Sequence, residues 1–182
     1  MPDRHAQLSF DGREFELPVV EPTIGNPGVD LATFRNTSGA VTFDPGFANT
    51  AGARSSITYI DGSNGVLQHR GYAIEDLAAN ASFLEVAYLL LFKKLPTAAE
   101  LDAWEDSVRH HTLLNEEMKR FFDAFPKSAH PMAILSSATN AISTFYEEFH
   151  DPTDEDMFHE SALRLIAKMP TIAAWAYKKS IG

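Results

Sequence analysis

The 182-residue chain is 45% hydrophobic and 22% charged, with a formal net charge of −10; that length suits one domain, or one domain with a small appendage, and is enough to bury a core. The acidic balance argues against nucleic acid or an anionic membrane surface as the main partner, so any anionic ligand needs a local cationic pocket. There is no cysteine, which excludes disulfides, thiolate zinc sites and cysteine nucleophiles and suits a reducing compartment.

The opening "MPDRHAQLSFDG" lacks the apolar core of a signal peptide, and no apolar run nears the ~20 residues needed to span a bilayer. A soluble cytoplasmic protein is expected. "LSFDGREFEL" (8–17) is two alternating runs around Asp11-Gly12, the pattern of a two-residue hairpin turn. "PVVEPTIGNPGVD" (18–30) is punctuated by Pro and Gly and reads as loop. "SITYIDGSNGVLQHRG" (56–71) reads as strand, Gly-rich turn, strand. Residues 1–71 are therefore expected to form a small β-containing region with loops.

From Tyr72 the pattern changes to helix, and 72–182 is expected to be a helical domain. "SFLEVAYLLLF" (82–92) has Ser82 as N-cap and Glu85 at the capping-box position. It is apolar on nearly all sides, which predicts a buried helix. "PTAAELDAWEDSVRHH" (96–111) pairs Thr97 with Glu100 in the same way, with acids early and Arg109 and the histidines late, complementing the helix dipole. "NEEMKRFFDAF" (115–125) is a shorter amphipathic helix, and "HPMAILSSATNAISTFYEEF" (130–149) a long one with Pro131 in its first turn. "DEDMFHESALRLIAKMPTIAAWAYKKS" (154–180) is helical again, with Pro170 expected to kink or break it. The chain stops at "KKSIG" straight after an apolar helix, so the sequence reads as cut rather than finished.

The residues alone make no catalytic constellation. Seven histidines are present, at 5, 69, 110, 111, 130, 150 and 159, but no two share one helix at the i,i+4 spacing of zinc ligands, so no metal site is expected. There is no G-x-S-x-G, and "DGSNG" (61–65) reads as a hairpin turn rather than a phosphate loop. Arg164 and Lys168 lie four apart on one helix face, an arrangement that clamps a diphosphate or merely complements a helix end before Pro170. The residues favour the helix-end explanation, and the same holds for "RHHT" (109–112).

Four stretches taken together resemble one family. "DPGFANTAGARSSITYIDGSNGVLQHRGYAIEDLA" (44–78), "FLEVAYLLLFKKLPT" (83–97), "FPKSAHPMAIL" (125–135) and "RLIAKMPTIAAWAYKKSIG" (164–182) resemble the N-terminal part of bacterial citrate synthase. The likeness is to the longer form with an N-terminal β region, typical of Gram-negative bacteria. The fold this implies is mainly α: a multi-helical portion of the large domain preceded by a small N-terminal β region.

The resemblance implies an enzyme of the tricarboxylic acid cycle that joins acetyl-CoA to oxaloacetate, with water, to give citrate and CoA. In the family an Asp removes the acetyl methyl proton, a His donates to the acetyl carbonyl oxygen, and a second His polarises the oxaloacetate ketone. Those residues lie beyond the end of this chain, so no catalytic residue is assigned here and the chain alone is expected to be inactive. His130 is expected to start a helix. No cofactor is implied, acetyl-CoA being a substrate and NADH an allosteric inhibitor. The family's remote NADH site, matched residue by residue, falls on His110, His111, Thr112, Tyr146, Arg164 and Lys168. His110 stands where the family has Arg, which weakens the match, and Lys93 stands where Gly is usual, a loop exchange expected to cost little. A homodimer or hexamer is implied, with helix 131–146 as a candidate interface. Two alternatives are a 2-methylcitrate synthase, taking propionyl-CoA, and a non-catalytic nucleotide-binding or assembly module.

Overall fold

The computed structural model describes residues 4–146 and 153–182. The chain divides into two compact units, Met1–Asn80 and Ala81–Gly182.

In the first unit β1 (His5–Phe10) and β2 (Arg13–Val20) form an antiparallel hairpin with Phe10 opposite Arg13. Asp11 and Gly12 fill the turn with φ of 50° and 70°, the two positive angles a type I′ turn demands. β3 (Gly28–Val29) pairs with the end of β2 through Val19–Val29 and Val20–Gly28. The stretch 18–30 is thus not loop throughout. Proline's fixed φ suits extended chain, and the Pro18 carbonyl still accepts from the amide of Asp30 at 2.8 Å. A five-residue helix unannounced by the sequence, α1 (Phe34–Ser38), brings Phe34 edge-on to Phe15 at 5.5 Å, and these two with Leu17 make a small core.

β4 (Thr58–Asp61) and β5 (Val66–His69) form the second hairpin, as the sequence predicts. β6 (Tyr72–Ala73) adds a third strand, and α2 (Ile74–Asn80) packs on this sheet through the buried Leu77.

The second unit is helical. α3 (Phe83–Phe92) and α4 (Ala98–His110) both open with complete capping boxes, Ser82 with Glu85 and Thr97 with Glu100. α3 is not the buried helix its composition predicts. Only Leu89 is fully buried and Phe83 is 76% exposed; the other residues of α3 are half-buried, in a helix that packs chiefly on α4 and meets α7 where Phe92 stacks on His159. Lys93 is not an ordinary loop residue either: it caps α3 with φ 69°, the left-handed conformation that glycine adopts at no steric cost.

α5 (Met118–Asp123) is followed by α6 (Pro131–Ile142). His130 caps α6, its Nδ1 accepting from the Met132 amide at 3.2 Å, with Pro131 in the first turn. α6 is shorter than the sequence predicts, giving way to a 3-10 turn at Ser143–Phe145. The Ser143 and Thr144 hydroxyls donate to the carbonyls of Asn140 and Ala141, a competition with the helix ladder that ends it. The rest of that expected helix, 147–149, lies outside the described residues.

α7 (Glu155–Ile181) runs unbroken through Pro170. A mid-helix proline costs about 3 kcal/mol, and packing on both sides of it offsets this. Leu163 and Ala167 are buried before Pro170, and Ile172 and Ala176 after it. The last two join Leu114, Met118, Phe122, Ile134, Ala138 and Ile142 in the main core between α5, α6 and α7. No helix among the described residues is long and apolar enough to cross a membrane.

Candidate functional site

The C-terminal end of α4 meets the middle of α7, and most of the residues singled out in the sequence lie at this junction. His111 is the C-cap of α4, and its Nδ1 lies 2.7 Å from the Ser107 carbonyl. A carbonyl only accepts, so Nδ1 carries the hydrogen and Nε2 faces Glu160 Oε1 at 3.4 Å. Arg164 donates from Nε to that same Glu160 oxygen at 2.8 Å, and its guanidinium lies 4.5 Å from the centre of the Tyr146 ring. The His111 ring and the Arg164 guanidinium therefore converge on one carboxylate oxygen.

Lys168 lies one turn further along α7 and is only 3% exposed. Its Nζ donates to the carbonyls of His111 at 2.8 Å and Leu113 at 2.5 Å, and sits 5.6 Å from the Tyr146 ring centre. Thr171 donates from Oγ1 to the carbonyl of Thr112 at 2.8 Å. Three successive carbonyls of the α4–α5 connection thus each receive a donor from α7. The buried charge is stabilised by these carbonyl dipoles and the ring face.

His111, Thr112, Tyr146, Arg164 and Lys168 are brought together; His110 is not. Its Nδ1 turns to the carbonyl and carboxylate of Asp106, and its side chain is 72% exposed. Arg109 reaches Glu105 and Asp106 instead. The helix-end explanation for Arg164 and Lys168 fails, because α7 continues to Ile181 and its last turn carries Lys178 and Lys179. Glu160 and Thr171 escaped the sequence reading. The Glu160–Arg164 spacing was the available signal, since Glu four residues before a basic residue is the favourable order on a helix.

The enclosed space beside Lys168, bordered by Asn115, Phe145 and Tyr146, is about 10 Å³, room for a water molecule and no more. A wider, open depression of about 240 Å³ lies against Tyr88, Trp104 and Ser107. The histidines described elsewhere have local partners: His5 faces Glu16, His69 bonds Thr58, and His159 stacks on Phe92. Among the described residues no three His, Asp or Glu side chains are placed to hold a metal ion. His150 lies outside them.

The family model for the citrate synthase C-terminal domain matches residues 46–182. The chain belongs to the citrate synthase family. Citrate synthase 1 of Mycobacterium tuberculosis is 49% identical over 180 residues, 99% of this chain and 42% of that protein. The crystal structure of citrate synthase from Pyrobaculum aerophilum superposes with a TM-score of 0.68 at 30% identity, covering 80% of this chain and 40% of that one. A Thermoplasma acidophilum citrate synthase, solved with carboxymethyl coenzyme A and oxaloacetate, gives 0.66 at 25% identity, covering 73% and 35%. The chain thus spans less than half the length of these citrate synthase relatives. Among the described residues the fold is mainly helical with a small N-terminal strand region, and these citrate synthases superpose on 73–80% of the chain.

Proposed function

We propose that these 182 residues are the N-terminal part of a citrate synthase of the long form, whose complete polypeptide condenses acetyl-CoA with oxaloacetate and water to citrate and CoA. The observation that carries this reading is identity to a citrate synthase of 49% across 99% of the chain. The substrate pair is supported by the ligands of the Thermoplasma protein, carboxymethyl coenzyme A and oxaloacetate. The paired strands β1 and β2 ahead of the helical unit fit the long form with its N-terminal β region.

In this reading the chain supplies scaffold and a regulatory surface rather than acid–base chemistry, and turns over no substrate by itself. The described histidines already serve caps, strand pairing, ion pairs and ring stacking. The enzyme works in the cytoplasm as a homodimer or hexamer, with the exposed small-residue face of α6 (Ala133, Ser136, Ser137 and Asn140) against a second copy. NADH acts as an allosteric inhibitor at the α4–α7 junction. There Arg164 and His111 take the diphosphate in place of Glu160, Tyr146 offers a ring face, and Lys168 keeps the connection in shape.

The test is oxaloacetate-dependent release of CoA from acetyl-CoA by the natural polypeptide that carries this sequence, with the 182-residue chain assayed beside it. Release by the first and none by the second is the expected result. No release by the natural polypeptide, or equal release by the short chain, contradicts the reading.

A further inference from the structure

We propose that Asn64-Gly65, in the turn between β4 and β5, is a site of spontaneous deamidation, and that Asp61 restrains the reaction. It is the one Asn-Gly pair in the chain. Both residues are exposed, Gly65 has φ 68°, and no heavy atom lies within 4 Å of where its Cβ would stand. A glycine after asparagine leaves the peptide nitrogen unhindered and the backbone free to adopt the geometry of ring closure.

In the reaction hydroxide removes the proton from the Gly65 amide, and that nitrogen attacks Cγ of Asn64. The new N–Cγ bond closes a five-membered succinimide. The Cγ–Nδ2 bond breaks, and the leaving nitrogen takes a proton from water to depart as ammonia. Water then opens the ring at either carbonyl, giving an aspartyl or an isoaspartyl residue at position 64. The net change is asparagine plus water to acid plus ammonia, with no oxidant or other reactant.

Asp61 opposes this in two ways. Its Oδ2 accepts from Asn64 Nδ2 at 2.8 Å and its Oδ1 from the Asn64 amide at 3.1 Å, drawing the side chain back toward residue 61. Ring closure instead needs Cγ over the following nitrogen. The carboxylate also repels the anion that must form at the Gly65 amide. The same turn contains Asp61-Gly62, which could close an analogous ring only from the neutral acid. Bonds from the Asn64 side chain, then the Asn64 and Ser63 amides, hold Asp61 below its ordinary carboxyl range and keep it ionised. Position 64 is thus the reactive one.

Deamidation removes the Nδ2 donor and sets a second carboxylate beside Asp61. The isoaspartyl product also adds a methylene to the backbone of a turn whose register is fixed by Asp61 opposite Val66. The turn loosens as the protein ages.

The experiment incubates the folded chain at mildly alkaline pH and follows position 64 by peptide mapping and by enzymatic methylation of isoaspartate. Isoaspartate is expected to accumulate there, several-fold faster in Asp61→Ala and in Asp61→Ser, and not at all in Asn64→Gln. Asp61→Ser keeps a backbone-accepting hydroxyl, and circular dichroism shows that each variant remains folded. Absence of reaction at 64 in the folded chain, while the urea-unfolded chain reacts there, overturns the site. Rates unchanged in both Asp61 variants overturn the restraint.

Discussion

Lys168 donates its ammonium proton to the carbonyl oxygen of Leu113 at 2.5 Å, from a side chain 3% exposed. With the parallel bond to His111 this fastens the connection after α4 to the centre of α7. Lys168→Met keeps the stem but leaves two carbonyls without that donor, and such bonds to a charged group are worth about 1.5–3 kcal/mol each. Urea unfolding should show a loss of at least 2 kcal/mol by that measure, with Lys168→Arg losing less. A loss under about 0.5 kcal/mol, the noise of ordinary surface changes, contradicts the role.

Lys93 caps α3 at φ 69°. Holding an L-residue there costs roughly 1–2 kcal/mol, a cost glycine avoids. Lys93→Gly should therefore raise stability by about 1 kcal/mol, net of the extra freedom glycine gains in the unfolded chain. Thermal unfolding followed by far-ultraviolet circular dichroism gives the sign directly, and a lower midpoint speaks against a strained cap.

Glu100 is held down to about 2, below its ordinary 4.5, first by the Lys94 ammonium and then by the Thr97 amide and hydroxyl. A carboxyl depressed in the folded state binds its proton more weakly there than in the unfolded chain. Its contribution is full above 4.5 and is lost as pH falls through about 2. NMR titration of the Glu100 side chain should report the low midpoint, and Glu100→Gln should flatten the acid limb of the stability profile. A midpoint near 4.5 in the folded chain counts against the capping network.

Ile172 is fully buried two residues after Pro170. Ile172→Ala should cost about 2–5 kcal/mol through lost burial and the cavity left behind, measured by denaturant unfolding of the helical unit. If packing there is what carries α7 through the proline, the variant should also lose helix signal beyond residue 170. Full retention of that signal at lower stability separates packing energy from helix continuity.

NADH should quench or shift the fluorescence of the folded chain on titration, and Arg164→Ala should abolish saturation. Glu160→Gln removes the internal anion that Arg164 and His111 share, so it should tighten binding several-fold. No saturable signal in the natural polypeptide that carries this sequence ends the regulatory proposal.

The elements visible in the sequence are those whose signal is complete within a few residues. Asp11-Gly12 sets its own turn, the Ser82–Glu85 and Thr97–Glu100 boxes close on themselves, and His130-Pro131 starts α6. What stayed hidden depends on packing. Nothing near Pro170 says that Ile172 and Ala176 will hold the helix together, and the apolar run of α3 does not reveal that most of it stays only half-buried. At the site, Arg164 and Lys168 were visible as a pair, but their partners are Glu160 and backbone carbonyls. A carbonyl acceptor leaves no mark in a sequence.

Intact mass spectrometry of the protein made by its source cell decides whether these residues are one part of a longer citrate synthase. A mass more than twice the 20.1 kDa of these residues is expected, in line with a chain that spans 42% of a relative. A mass near 20.1 kDa would contradict it and leave the α4–α7 junction as the chain's own functional surface.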